Sequence, residues 1–247
     1  MSAVDLGCAT EGASNKNPVY SKTDRSRMLI QVANSALLSG DPTGALQSLM
    51  RAEQEDDGLP ELHHSKGLAY LMKHDPEKAL QCVKKAVRLK PNYSDANNTL
   101  GKLLIDSGQY DEAIPPLQLA AQDALNREAY KAWTNLGILS YRRGDYRQSE
   151  VYMSRAIEEA PALSCVAYYY RGQIRVRNKQ WKIAIGDYSE ASKKLCSQFG
   201  DAYLALGMAY QQDQKFELAR KTFLEIQRRY PNTKLAEQAL DQLKYLP

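Results

Sequence analysis

Histidine is the side chain most often used for proton transfer and metal binding near neutral pH, and this sequence has only three. His63 and His64 are adjacent, so on a helix they point to different sides, and His74 falls in a turn segment. We interpret all three as surface residues. The acidic clusters at 53–57 and 158–159 lie near predicted helix ends, where solvated charge explains them. No nucleophile elbow, phosphate-binding glycine loop or zinc-protease motif is found. We therefore assign no catalytic residue, metal or cofactor and expect no enzyme.

Charge and hydropathy limit the partners of this chain. Its 247 residues include 33 Lys and Arg against 29 Asp and Glu, a net charge of +4, and the two signs are interspersed. Nucleic-acid binding proteins gather positive charge into a patch, so we do not expect nucleic acid as a partner. No apolar run approaches the roughly 20 residues of a membrane-spanning helix, so we expect membrane contact only through a lipid anchor.

A repeat of about 35 residues organises the sequence. Small residues recur at intervals of 34, 34, 36, 35 and 35 positions, at Ala33, Gly67, Gly101, Gly137, Gly172 and Gly207. Twelve positions after each of them comes another small residue, at Ala45, Ala79, Ala113, Ser149, Ala184 and Ala219. Repeats of this length are typical of helical solenoids, in which each unit buries its apolar face against its neighbours.

The residue types at these positions suit pairs of antiparallel helices. Two helices approach closely only where the facing side chains are small, which explains the Gly and Ala series. Gly40, Gly108 and Gly144 fall in the turns between paired helices, where a left-handed residue ends the first helix. Pro91 and Pro231 cannot continue a helix interior, so they are predicted to separate one pair from the next.

This pattern resembles the tetratricopeptide repeat over about residues 26–245. The resemblance implies an all-α fold, a right-handed superhelical solenoid of six helix-turn-helix units closed by a C-terminal capping helix after Thr233. Residues 1–22 show little periodicity and are predicted to be a flexible tether, and residues 23–247 to form the solenoid. The units are placed at about 26–59, 60–93, 94–127, 130–163, 165–198 and 200–233, with the cap at 234–245.

The concave face of such a solenoid, lined by the first helix of each unit, is the expected binding surface. Apolar side chains on it indicate either a groove for an amphipathic helix or extended apolar peptide, or burial by the neighbouring unit. We expect a protein partner and a monomeric chain. Counting within units assigns nine residues to this groove: Leu37, Leu68, Leu71, Met72, Asn98, Lys102, Ile105, Ile138 and Tyr141.

The fifth unit departs from the pattern. Arg171 stands where leucine is usual, and the terminal proline is missing. Cys165 and Cys196 fall at the start of its first helix and beyond the end of its second, and these ends are neighbours in an antiparallel pair. A disulfide there would stabilise the unit by roughly 3 kcal/mol through loop entropy. Two free, half-buried thiols in a reducing compartment are the alternative. Cys82 is interpreted as a packing residue.

Two stretches resemble a narrower group of bacterial proteins. Residues 95–101 (DANNTLG) and 108–113 (GQYDEA) are similar to the third unit of the PilF/PilW/Tgl lipoproteins, the type IV pilus pilotins. Residues 230–236 are similar to the ends of repeats in other Gram-negative envelope proteins. The pilotin resemblance implies a non-enzymatic scaffold in the periplasm, at the inner leaflet of the outer membrane. Its partner would be a secretin or another pilus component, which it helps to localise and assemble into multimers.

The segment Leu6-Gly7-Cys8 bears on that resemblance, because a lipobox ends in a small residue before the cysteine that receives the lipid. Lipidation of Cys8 is one interpretation. An accidental match is the other, because Asp5 and the lack of a preceding apolar stretch depart from the pattern. The alternative function is a cytoplasmic tetratricopeptide adaptor that binds a signalling or motility partner, in which Cys8 is incidental and the thiols are free.

Overall fold

The computed structural model describes residues 20–247, and within that range every regular element is helical. Short turns alternate with longer loops between the helices. In chain order the helices are α1 (Lys22–Leu38), α2 (Pro42–Glu55), α3 (Pro60–Met72), α4 (Pro76–Leu89), α5 (Ser94–Asp106), α6 (Tyr110–Gln122), α7 (Ala129–Arg142), α8 (Tyr146–Glu159), α9 (Cys165–Arg177), α10 (Trp181–Glu190), α11 (Gly200–Gln212), α12 (Phe216–Arg229) and α13 (Lys234–Lys244), with a short 3-10 turn at Lys194–Cys196.

Helices α1 to α12 form consecutive hairpins, α1 with α2 through α11 with α12, and each helix packs mainly against its hairpin partner. The second helix of each hairpin then packs against the first helix of the next. First helices also contact one another, as α1 does with α3 and α5 with α7. This stacking between nearest neighbours is the arrangement of a solenoid, and it confirms the predicted all-α class.

Each hairpin closes on a small residue of its first helix. A Cβ atom added to Gly172 would lie 2.6 Å from the Tyr188 ring, and one added to Gly137 would lie 2.6 Å from Met153. Glycine is therefore required at these crossings, as the repeat spacing predicts. The same close approach joins Gly67 to Val83, Gly101 to Leu117 and Gly207 to Phe223.

The turns inside the hairpins share one backbone conformation. Gly40, Gly108 and Gly144 have φ angles of +82°, +76° and +81°, in the left-handed region that favours glycine. The other three hairpins reach the same region with larger residues, so the stacking imposes the turn even where the sequence lacks glycine. These residues are His74, Lys179 and Gln214, with φ of +59°, +57° and +57°.

Side chains cap the N-termini of the first and the last helix. Ser21 caps α1, because its hydroxyl accepts a hydrogen bond from Asp24 N while the Asp24 carboxylate accepts one from Ser21 N. Thr233 caps α13 by accepting from Ala236 N at 3.3 Å, which is the predicted start of the final helix. Helix α13 packs on α11 and α12 and covers the apolar end of the solenoid. The rest of the predicted tether, residues 1–19, lies outside the described residues.

The fifth hairpin contains a buried charge cluster where the other hairpins have apolar contacts. Asp187 of α10 is 4% exposed and lies against two arginines of α9, with Arg171 Nη2 at 2.8 Å and Arg175 Nη1 at 2.6 Å from its carboxylate oxygens. The Arg171 side chain also donates to Ser154 Oγ at 3.1 Å. The arginine that replaces the usual leucine is therefore accommodated by an ion pair.

Candidate partner-binding groove

A cavity of about 750 Å³, which we call the N-terminal groove, lies on the face of α1 and α3 and is also lined by Tyr93 and Asp95 at the start of α5. Leu38 and Met72 are 91% and 41% exposed, so apolar surface lies open at this site. Polar and charged side chains, among them Arg27, Glu61 and Asp95, complete the lining. An apolar floor with a polar margin suits a protein segment. The apolar lining consists of Ile30, Leu37, Leu38, Leu68, Leu71 and Met72.

Four of the nine residues assigned to a groove from the sequence, namely Leu37, Leu68, Leu71 and Met72, line this cavity together. Ile105 does not, and its assignment was wrong. It is only 2% exposed and belongs to the apolar core between neighbouring hairpins. The following hairpin covers it, with Arg142 of α7 donating to the Ile105 carbonyl oxygen at 3.1 Å.

The remaining four predicted residues lie on α5 and α7, outside the lining of the cavity. Lys102 is exposed and pairs with Asp106 at 2.9 Å. Ile138 is partly buried against the core. The Tyr141 ring lies 5.1 Å from that of Tyr170, in an aromatic cluster whose burial raises the Tyr141 pKa. The apolar positions predicted on α5 and α7 are thus occupied by contacts within the solenoid.

Hydrogen bonds between side chains link successive first helices along the concave side, and we call them the polar ladder. Ser65 Oγ donates to Asn34 Oδ1, and Asn135 Nδ2 donates to Asn98 Oδ1. Asn98 thus links two helices, and its contact with a partner stays a prediction. The rungs are Asn34–Ser65 at 2.7 Å between α1 and α3, His64–Thr99 at 3.0 Å between α3 and α5, and Asn98–Asn135 at 2.8 Å between α5 and α7.

The interpretation of His63 and His64 as surface residues was wrong. They are 2% and 8% exposed, respectively. His63 Nε2 lies 2.7 Å from the Asp57 carbonyl oxygen, to which it donates. Burial lowers the pKa of both rings, so both favour the neutral form. The adjacent positions point to different sides of α3, as predicted, but the loop before α3 contacts His63 at Asp57, and Tyr93 and Thr99 contact His64.

The protonation of His64 follows from its neighbours. The Thr99 hydroxyl donates to the Asp95 carbonyl oxygen at 2.9 Å, so its oxygen accepts from His64 Nε2–H. His64 Nδ1 then carries a lone pair that faces the Tyr93 hydroxyl at 3.4 Å. Because His64 and Tyr93 both line the N-terminal groove, this neutral ring helps to shape the site.

The cysteines fall into distinct environments. Cys165 and Cys196 are joined by a disulfide, with 5.4 Å between their Cα atoms. It ties the start of α9 to the 3-10 turn after α10. Cys82 is a half-buried free thiol on α4 whose pKa is raised by burial. Cys8, the candidate lipidation site, lies outside the described residues. Within residues 20–247 no group of three His, Cys, Asp or Glu side chains is arranged to hold a metal ion.

Two stretches of this chain match known repeat families. Residues 70–134 and residues 201–233 each match a family described as tetratricopeptide repeat. The chain carries tetratricopeptide repeats. The first match runs from the end of α3 into α7, and the second covers α11 and α12. The division of the tetratricopeptide solenoid into six units remains a prediction from the sequence. Among the described helices, none is long and apolar enough to cross a membrane.

Curated relatives of the tetratricopeptide solenoid include a pilus protein. The type IV pilus assembly protein PilF of Pseudomonas aeruginosa is 26% identical over 156 residues, which cover 61% of this chain and 60% of PilF. The chain thus matches less than two thirds of that relative. The human protein O-mannosyl-transferase TMTC1 is 29% identical over 111 residues, which cover 43% of this chain and 12% of that protein.

Solved structures show the same fold over almost the whole chain. The structure of Pseudomonas aeruginosa PilF superposes with a TM-score of 0.76 at 17% identity, covering 90% of this chain and 99% of that chain. PilW, described as a widely conserved type IV pilus biogenesis factor, superposes with a TM-score of 0.76 at 19% identity, covering 87% and 98%. At these identities the likeness concerns the fold.

Proposed function

We propose that this protein is a non-enzymatic scaffold of type IV pilus biogenesis that acts as a pilotin, binding a secretin or another pilus component. The observation that carries the proposal is the N-terminal groove, an open apolar cavity on the face that solenoids use for protein segments. The sequence similarity to PilF and the shared fold of PilF and PilW support the choice of the pilus. In this proposal the scaffold helps the secretin to reach the outer membrane and form multimers.

The proposal includes a location, the periplasm at the inner leaflet of the outer membrane, with Cys8 as the lipid attachment site. The pairing of Cys165 with Cys196 supports an oxidising compartment, since disulfides rarely persist in the cytosol. A cytoplasmic adaptor would instead contain reduced thiols. Mass spectrometry of the protein isolated from its native cells, after alkylation without reductant, distinguishes the two. Alkylated Cys165 and Cys196 would contradict the periplasmic location.

The groove is tested first with substitutions of exposed side chains. Leu38→Asp and Met72→Asp place charge on exposed side chains of the groove, so they should abolish partner binding without unfolding the chain. Leu68→Asp with Leu71→Asp tests the deeper part of the same surface. Leu218→Asp, at an exposed leucine of α12 that is 45% accessible, is the matched control. Capture of solubilised secretin by each variant is the measurement, with circular dichroism to check folding. Retained capture by the groove variants would refute the assignment.

The cellular role is tested by deleting the gene and measuring heat-resistant secretin multimers in outer-membrane fractions. We expect the multimers to disappear and to return when the intact gene is supplied. A gene carrying Leu38→Asp and Met72→Asp should fail to restore them, whereas one carrying Leu218→Asp should succeed. Unchanged multimers in the deletion strain would defeat the pilotin proposal while leaving the groove itself open to a different protein partner.

A further inference from the structure

A second cavity, of about 460 Å³, lies at the other end of the solenoid, between α9, α10, α11 and the end of α13. We call it the C-terminal cavity. None of its lining residues is charged, whereas the N-terminal groove includes Arg27, Glu61 and Asp95. One quarter of all residues in the chain are charged. An uncharged lining therefore selects against ionic ligands and favours a neutral one.

One hydroxyl in this lining belongs to a buried tyrosine. Tyr188 is 2% exposed and lines the cavity, and its hydroxyl is not among the fully buried, unpaired side-chain atoms of residues 20–247. Burial raises the pKa of this phenol, so it remains a neutral donor and acceptor. A neutral hydroxyl in a cavity lining can donate one hydrogen bond to a ligand and accept another.

Glutamine amides surround the same space. Gln173 donates from Nε2 to the Tyr169 hydroxyl at 2.9 Å, which leaves its carbonyl oxygen free. Gln211 and Gln212 on α11 and Gln242 on α13 complete the set. An amide offers both donors and an acceptor, which matches a hydroxyl group that must donate and accept at one atom. A carboxylate or an ammonium group supplies only one of these functions.

Aromatic rings supply the apolar part of the lining. Trp181 at the start of α10 and Tyr245 after α13 both border the cavity, and Tyr245 is 76% exposed. An exposed aromatic face stacks on apolar C–H groups, while amides nearby bind hydroxyls. The volume lies within the range of small-ligand sites and is smaller than the groove assigned to a protein segment.

We propose that the C-terminal cavity binds a short neutral saccharide, whose ring stacks on Trp181 or Tyr245 and whose hydroxyls bond to Tyr188 and the glutamine amides. This site is separate from the N-terminal groove and does not depend on a role in pilus assembly. A neutral peptide segment is the competing ligand, and the experiment below includes it.

The chain carries its own reporter for this test. It has two tryptophans, Trp133 on α7 and Trp181 at the cavity, so Trp133→Phe leaves only Trp181 emission. In that background the full chain is titrated with N,N′-diacetylchitobiose, with maltose and with an uncharged Gly-Ser tetrapeptide blocked at both ends. Saturation-transfer NMR with the same compounds detects binding that leaves the emission unchanged. We expect a saturable response to at least one disaccharide.

Tyr188→Phe is the decisive variant, because it removes only the hydroxyl. We expect affinity for the disaccharide to fall about three- to tenfold, the effect of one hydrogen bond, and the fold to be retained, because phenylalanine keeps the ring that packs against Gly172. Gln212→Ala should also weaken binding. Gln118→Ala should not, because Gln118 is exposed on α6 and lies outside the cavity lining. The proposal is overturned by the absence of disaccharide binding in both measurements, by unchanged affinity in Tyr188→Phe, or by binding of the tetrapeptide alone.

Discussion

Arg171 and Asp187 form an ion pair across the fifth hairpin, with Arg171 Nη2 2.8 Å from Asp187 Oδ1. The two side chains are 16% and 4% exposed, so solvent screens the pair only weakly. Arg175 binds the other carboxylate oxygen at 2.6 Å. Asp187 is thus the buried carboxylate that both guanidinium groups share, and Arg175 Nε also lies 3.6 Å from Glu150 Oε1.

Removal of Asp187 should therefore cost more than removal of Arg171. Asp187→Ala leaves Arg171 without a carboxylate partner and Arg175 with only Glu150, and we expect the free energy of unfolding to fall by about 3 kcal/mol. Arg171→Leu restores the residue usual at this position and leaves Asp187 paired with Arg175, so the loss should be smaller. Urea unfolding followed by circular dichroism measures both. A larger loss for Arg171→Leu would contradict this account of the cluster.

Stability should depend on pH through His64. Burial, the dominant cause, lowers its pKa in the folded protein below the ordinary value of 6.5, and Asp95 partly opposes this shift. Below pH 6.5 the unfolded chain therefore binds a proton that the folded chain does not. The contribution is complete above about pH 6.5 and is lost as the pH falls toward the folded pKa.

Comparison of the wild type with His64→Gln isolates this contribution. Unfolding in urea at pH 7.5 and at pH 5.5 should show a loss of stability on acidification that is smaller in His64→Gln. His63 has a lowered pKa from the same cause and remains in both proteins, so it does not affect the difference. An identical loss in the two proteins would mean that His64 is not held neutral by the fold.

Reduction of the disulfide should weaken the fifth hairpin. Cys165 and Cys196 are 31 positions apart, and closing a loop of that length is worth about 3–4 kcal/mol. We expect Cys165→Ser with Cys196→Ser to lower the unfolding free energy by up to this amount and to expose residues 191–199 to limited proteolysis. Cys82→Ser is the matched control, and dithiothreitol should affect the wild type but not the double variant. Equal proteolysis of the two would argue against this role for the disulfide.

Two glycines of the same hairpin should respond to alanine in opposite directions. At Gly172 the added methyl group meets the Tyr188 ring at 2.6 Å, so Gly172→Ala should destabilise the protein by about 1–3 kcal/mol. At Gly186, inside α10, nothing lies within 4 Å, so Gly186→Ala should stabilise it by about 0.5–1 kcal/mol. Thermal unfolding of the two variants tests both. An undiminished stability of Gly172→Ala would show that the Tyr188 ring can move to make room for the methyl group.

The repeat spacing predicted the features that depend only on contacts within one hairpin. It located the glycine crossings, the left-handed turns and the start of α13 at Thr233, because packing between two adjacent helices repeats with the sequence. Ile105 and His64 were misjudged for a different reason. Periodicity identifies the face of a helix, but it does not tell how closely the next hairpin covers that face. The ion pair of Asp187 with Arg171 was not predicted, because Arg171 was interpreted only as a departure from the repeat pattern.

The polar ladder has a mechanical consequence. Its rungs connect α1, α3, α5 and α7, so extension of the superhelix along its axis must break a side-chain hydrogen bond at each step in the N-terminal half. Between α7 and α9 the contact is aromatic instead, with the Tyr141 and Tyr170 rings 5.1 Å apart, and such rings can slide without losing a directional bond. Under tension we therefore expect α7 and α9 to separate before the hydrogen-bonded first helices α1, α3, α5 and α7 do.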